Sequence, residues 1–224
     1  MDLIDALRST PAVRRFTDEP VDDATIAGIL DDARFAPSGG NRQGWHVIVL
    51  KDPEARAAIR DLYVPGIASY VSLLKAGLTP FSPLNDREAE AAALAAGTSE
   101  PDAFARHLDE VPVLLLILAN LRSLAAVDRD LDRYSFAGGA SIYPFAWNIL
   151  LAARERGLGG VMTTMSVLAE DEVLELVGAP EDFAVATLMA LGHPHKTLTK
   201  LRRQPVSSFT TLNRFDGATL ADPD

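Results

Sequence analysis

The sequence predicts an α+β fold, on two observations. Amphipathic helical stretches and short apolar strands succeed one another along 224 residues without the regular β-α-β alternation that a doubly wound sheet requires. The apolar share, 48%, is ample for one core, so residues 1–224 read as a single domain with neither disorder nor a disulfide scaffold indicated.

The elements follow in order. Asp22 is placed to cap a helix in which Ile26, Ile29, Leu30 and Ala33 recur at i, i+3, i+4 and i+7, a single buried stripe. Pro37 and the Gly39-Gly40 pair end it. Trp45 to Leu50 reads as a buried strand, and Asp52-Pro53 opens the next helix with a cap and a proline in its first turn. Residues 63–110 read as irregular. Pro65, Pro80, Pro83 and Pro101 interrupt them, and only Arg87 to Ala96 is firmly helical in composition. This excursion is expected to form part of a lid or pocket wall.

Val113 to Ala119 has the length and bounding residues of a buried strand. A long helix follows, with Ile142, Phe145, Ala146, Ile149, Leu150 and Ala153 as its stripe and Gly157 closing it. Ala140, Trp147, Leu151 and Ala152 lie outside that stripe, so the helix is expected to be buried on more than one side, as at a subunit interface. Gly160 to Thr164 reads as a short strand, Glu170 to Val177 as a helix ended by Gly178, and Phe183 to Leu191 as the last strand. The arm 196–224 keeps Val206, Phe209, Leu212 and Phe215 without a clear period. Such a tail is not expected to hang free. It either wraps a partner subunit or packs on its own protomer.

Charge narrows the function classes. A net charge of −10 argues against nucleic acid as a partner, because phosphate binding draws on excess Lys and Arg. The acidic start, Met1-Asp2-Leu3-Ile4-Asp5, lacks the basic opening of a signal peptide. The longest apolar run, Val111 to Ala119, contains Pro112 and is too short to cross a bilayer. A cytoplasmic protein with no membrane partner is the expectation. No cysteine is present, which removes disulfides, thiolate metal sites and a thiol nucleophile together. Against this acidic background two basic clusters stand out: Arg14-Arg15, and Lys200 with Arg202 and Arg203. Each alone reads as a solvated patch. Together with the segment described next, they point to a bound anion.

That segment is Pro37-Ser38-Gly39-Gly40-Asn41-Arg42-Gln43-Gly44-Trp45-His46. Its small residues leave backbone N–H groups uncovered, while Ser38, Asn41, Arg42 and Gln43 offer donors and acceptors, a mixture suited to a flat polar heterocycle. Other chemistry finds less support. Gly157-Leu158-Gly159-Gly160 follows a helix and lacks the dinucleotide spacing, so these glycines are read as ending the helix and letting backbone approach something flat. His193-Pro194-His195 has no third metal ligand at a useful spacing. Ser9, Ser38 and Ser166 lack a nucleophile-elbow setting. His46 reads as a core histidine. What remains is a cofactor that brings its own reactivity.

Four segments in register resemble the nitroreductase family. They are Val13-Arg14-Arg15-Phe16 with Pro20-Val21; Ala36 through His46; Asn148 through Ala153 with Gly157-Leu158-Gly159-Gly160; and Ala190-Leu191-Gly192-His193-Pro194 with Arg202-Arg203-Gln204-Pro205. The resemblance implies a central, mostly antiparallel sheet flanked by helices in an intertwined homodimer, with FMN at the interface. It implies hydride passing from NADH or NADPH through the flavin to a small-molecule acceptor such as a nitroaromatic, a quinone or another electron-poor compound. No side chain need act as the catalytic acid or base. By the same resemblance, Arg14 and Arg15 lie near the FMN phosphate and ribityl chain, and Arg203, with Arg202, near the phosphate. Pro37, Ser38, Gly39, Asn41 and Gln43 border the flavin, the last two from the partner chain's side. Thr163, Thr164 and Met165 present backbone N–H groups to the ring.

Departures from the family pattern mark this chain. Thr10-Pro11-Ala12 stands where many members have Arg-Arg-Ser, with Arg8 and Ser9 displaced upstream, so the first arginine's role either falls to Arg8 or is lost. Gly44 replaces a proline, which is expected to loosen that turn. Met162-Thr163-Thr164-Met165 replaces a Pro-x-Glu-Gly segment. Two alternatives stay open: a flavin-sequestering protein without turnover, and a specialised flavin dehydrogenase or dehalogenase.

Overall fold

The computed structural model describes residues 1–97 and 99–222. The helices are α1 (Leu3–Ser9), α2 (Asp23–Ala33), α3 (Pro53–Lys75), α4 (Arg87–Ala95), α5 (Ala103–Arg106), α6 (Tyr143–Glu155) and α7 (Glu170–Leu176). The strands are β1 (Trp45–Leu50), β2 (Val113–Asn120), β3 (Gly159–Thr163) and β4 (Phe183–Gly192). They form one sheet in the order β1-β2-β4-β3 with every pairing antiparallel. The fold is α+β, as the mixed pattern predicts.

Strand β2 explains the layering. Successive side chains of a strand face opposite sides. Val113, Leu115 and Ile117 join one apolar cluster with Ile26, Ile29, Phe145 and Ile149. Leu114, Leu116 and Leu118 join the other with Ile59, Tyr63, Leu108 and Val173. Helices α2 and α6 therefore cover one face, while α3, α5 and α7 cover the other. A strand covered on both faces is apolar at every position, which is why β2 reads as a continuous run. Helix α6 also packs half-buried Trp147 against the first cluster, outside its main stripe.

Four local expectations are corrected. Helix α3 runs unbroken through Pro65 to Lys75, where the proline-rich composition suggested irregularity from residue 63. The helix forfeits one backbone hydrogen bond at Pro65, but burial of Ile59, Tyr63, Ala68 and Leu73 continues on both sides of it and carries the helix through. Gly44 does not loosen its turn. It is buried, its carbonyl accepts from the Asn120 amide at 2.7 Å, and an added Cβ would meet the Ser123 Cβ at 2.7 Å. Gly159 and Gly160 bring the backbone close to side chains of this chain, not to something flat. A Cβ on Gly159 would meet Val13 at 2.7 Å, and one on Gly160 would meet Leu191 at 2.4 Å. His46, expected in the core, is exposed and meets Phe183 edge-on at 6.0 Å.

Helix α1, capped by Asp2 on the Ile4 amide, had no sequence signal strong enough to predict it. Beyond it the chain runs along the outer edge of β3, where Val13 donates to the Gly160 carbonyl at 2.8 Å and Phe16 bridges to Pro194. Among the described residues, no strand pairs with the outer edge of β1. Strand β4 bulges where Ile117 opposes Thr187 and Leu118 opposes Val185, leaving Ala186 as the extra residue. The Tyr143 hydroxyl donates to the Ala186 carbonyl at 3.2 Å.

Candidate functional site

The Pro37–Gly44 loop leaves α2 and is closed by its own polar atoms. The Gln43 amide donates to the Ser38 hydroxyl at 3.0 Å, and the Gln43 side-chain amide donates to Asn41 at 3.3 Å. Gly40, Asn41 and Gln43 have φ of 61°, 54° and 49°. Gly and Asn tolerate the left-handed region, whereas Gln does so at a cost, so the loop holds a strained residue in place. Pro37, Gly39, Asn41, Arg42 and Gln43 stay exposed. The loop docks through the Gly39 amide, which donates to the Ser141 hydroxyl at 3.0 Å.

Ser141 is itself fixed from a distance by Asp128, whose side chain is only 4% exposed. Its carboxylate accepts from the Phe136 amide at 2.9 Å, the Ser135 hydroxyl at 2.7 Å and Arg133 at 2.8 Å. The Ala137 amide adds a longer contact at 3.2 Å. These donors, the Phe136 amide foremost, hold the carboxyl well below the usual carboxylate range against the opposing effect of burial. The segment they gather leads straight into the short 3-10 turn Ala137–Ser141.

At the end of β3, the Tyr63 and Thr163 hydroxyls lie 3.1 Å apart. Burial pushes the Tyr63 phenol up, the Thr163 bond opposes that rise, Asp102 adds to it and the Arg14 charge opposes it. The Thr163 carbonyl accepts from Thr187, the residue beside the β4 bulge, at 2.8 Å. Thr164 is exposed and Met165 half-buried at the start of the 3-10 turn Met165–Ala169, where leading N–H groups lack partners within the turn.

The arginines divide between two clefts. Arg14 and Arg15 line one of about 220 Å³ with Phe104, His107 and His195. Arg203 lines another, of about 700 Å³, with Arg8, Ser9, Arg154 and Lys200. Within the protomer, then, Arg14 and Arg203 do not share a cleft, although residues 8 to 16 run between the two. The Pro37–Gln43 loop borders neither cleft. Arg202 is exposed, and its carbonyl accepts from Arg203 at 2.8 Å. Sequence reasoning missed Tyr63, Asp128, Ser141 and Arg154. Asp128 sits in an acid-rich run that reads as a solvated loop. Arg154 sits at a helix end where basic residues are ordinary.

These elements define a protein class. The chain matches the model of the nitroreductase family over residues 7–193 and belongs to that family. An NADH dehydrogenase of Thermus thermophilus is 29% identical over 191 residues, covering 82% of each chain. A BluB-like flavoprotein of Clostridium difficile superposes with a TM-score of 0.68 at 22% identity, over 96% of this chain and all of its own. The NADPH:FMN oxidoreductase of Vibrio harveyi, solved with NAD+, gives 0.66 at 20% identity over 96% of this chain and 79% of its own. At these identities the two solved structures speak to the fold.

Proposed function

We propose that this chain is an FMN-dependent NAD(P)H oxidoreductase acting on nitroaromatics, quinones or other electron-poor small molecules, and that it works as a homodimer. Family membership across nearly the whole chain carries the reading. Chemically, the fit to FMN rests on donors left open. Among the described residues, Lys200 and Arg203 make no ion pair, and the exposed 37–43 loop supplies neutral donors and acceptors. Bound FMN supplies hydride exchange between the nicotinamide and the acceptor.

The chain's own residues do the rest. Arg203 neutralises the phosphate with Arg202 beside it, while Arg14 faces the ribityl and ring portion with Arg15 flanking it. Thr163, Thr164 and Met165 turn backbone N–H groups toward the ring edge. Pro37, Ser38 and Gly39 border the ring, and Asn41 and Gln43 reach it from the partner chain's side. Residues 63–110 wall the pocket, and the arm 196–224 wraps the second copy.

Apolar side chains left in solvent support the dimer: Phe209 is 66% and Phe215 fully exposed on the arm, and Leu3 is 65% exposed on α1. No helix among the described residues is long and apolar enough to cross a membrane, and we place the protein in the cytoplasm. The test is an absorption spectrum of protein reconstituted with FMN, before and after anaerobic NADH or NADPH. A bound flavin bleached within seconds is expected. A flavin that binds and resists bleaching makes the protein a sequestering one, and no flavin binding at all sinks the proposal.

A further inference from the structure

The geometry points to Arg8 and Arg154 as phosphate ligands, joining Lys200 and Arg203 in a phosphate-dianion site that this chain builds in place of an Arg-Arg-Ser segment. Four basic side chains line the cleft against one acidic side chain, Asp5, in a protein whose net charge is −10, and the Met1 ammonium beside them is paired with Glu155. Among the described residues none of the four forms an ion pair, although Arg133, Arg156 and Arg122 elsewhere all do. Like charges gathered without counter-charges are costly unless an anion completes them.

Arg154 is the more telling member. Its Nη2 donates to the Ser9 hydroxyl at 3.2 Å and to the Leu198 carbonyl at 3.3 Å, which ties α1, α6 and the arm together. Its Nε is buried with no partner. A buried guanidinium N–H left unpaired is a defect unless a water or a ligand oxygen accepts from it. Ser9 does not face the ligand as a donor, because its hydroxyl proton goes to the Asp5 carbonyl at 2.7 Å. It orients Arg154 instead. Thr10, likewise, spends its hydroxyl on the Ala6 carbonyl at 2.7 Å. Where the family pattern has Arg-Arg-Ser, Thr10-Pro11-Ala12 therefore offers no free side-chain donor, and the guanidinium groups come from α1 and the end of α6.

The ligand chemistry is a phosphate monoester dianion. The proposed activity offers two sources, the FMN phosphate and the 2′-phosphate of NADPH. For its source alone the inference rests on the flavin reading, and the experiment separates the two ideas. FMN and riboflavin are titrated into flavin-free wild type, R8A and R154A by fluorescence quenching, KM is measured for NADPH and NADH, and inorganic phosphate is titrated by calorimetry. Melting curves check that each variant folds, and the exposed Arg8 carries the test should R154A unfold.

Loss of one charge-assisted contact is expected to weaken FMN roughly 10- to 100-fold while riboflavin is unchanged. A rise in KM for NADPH alone, with FMN unaffected, assigns the same cleft to the nucleotide's phosphate. Wild type that binds no flavin yet binds inorganic phosphate, with R8A and R154A binding it more weakly, removes the proposed function and keeps the site. Equal losses for FMN and riboflavin overturn the inference. So does no loss for any phosphate compound.

Discussion

Asp128 gathers Arg133, Ser135, Phe136 and Ala137 with one carboxylate, and its charge state is correspondingly consequential. An unfolded Asp titrates at about 3.9, and the folded group is held well below that value by the Phe136 amide, Ser135 and Arg133. A depressed folded value means the stabilisation is complete above about pH 5, begins to fade as pH falls past the unfolded value and is lost once pH falls through the folded value. Asp128→Asn should therefore lower Tm at neutral pH and flatten its decline between about pH 5 and pH 3, roughly the range over which an unfolded Asp titrates. Equal acid slopes in variant and wild type would remove Asp128 from this role. Tyr63→Phe tests the other fixed point. Losing its partner at Thr163 should cost about 0.5–1.5 kcal/mol in urea denaturation, and a null effect would mean the two hydroxyls are not bonded. Neither residue was legible in the sequence, since a hydrogen bond across 100 positions leaves no local trace. The loop residues Ser38, Asn41 and Gln43 were legible because turn chemistry is local.

At the scale of elements, the strands could be read from apolar run length and bounding residues, and the stripes of α2 and α6 from periodicity. What escaped was set by tertiary contact. Pro65 lies within a helix because the apolar burial around it outweighs one missing hydrogen bond. The Ala186 bulge follows from pairing register, which a single strand does not encode. The β3 edge gives a test of such contacts. Gly160→Ala would place a methyl 2.4 Å from the Leu191 Cδ2 and 2.7 Å from the Ala190 carbonyl oxygen. The side chain can yield but the backbone oxygen cannot without displacing β4, so a loss of about 1–3 kcal/mol is expected by chemical denaturation. An unchanged midpoint would mean the sheet accommodates the methyl freely.

The whole molecule leaves much apolar surface uncovered by its own chain, on α1 and the arm and also at Phe35, Leu84, Val127 and Phe136. Composition suggested that the tail would find a surface but could not say whose; on the protomer Val206 is half-buried while Phe209 and Phe215 stay in solvent. Deleting residues 196–224 should therefore halve the mass seen by light scattering and abolish FMN retention together, because the arm carries both the apolar anchors and Arg203. A truncated protein that stays dimeric and yellow would contradict this coupling.

The outer margin of β1 has one more implication. Among the described residues no strand pairs with that side of Trp45 to Leu50, a β-rich hexapeptide, although the Leu50 carbonyl accepts from Arg56. Chains caught half-folded can zip together along that border. Recovery after dilution from urea should accordingly fall as protein concentration rises, and a lysine introduced at the exposed His46 should restore the yield.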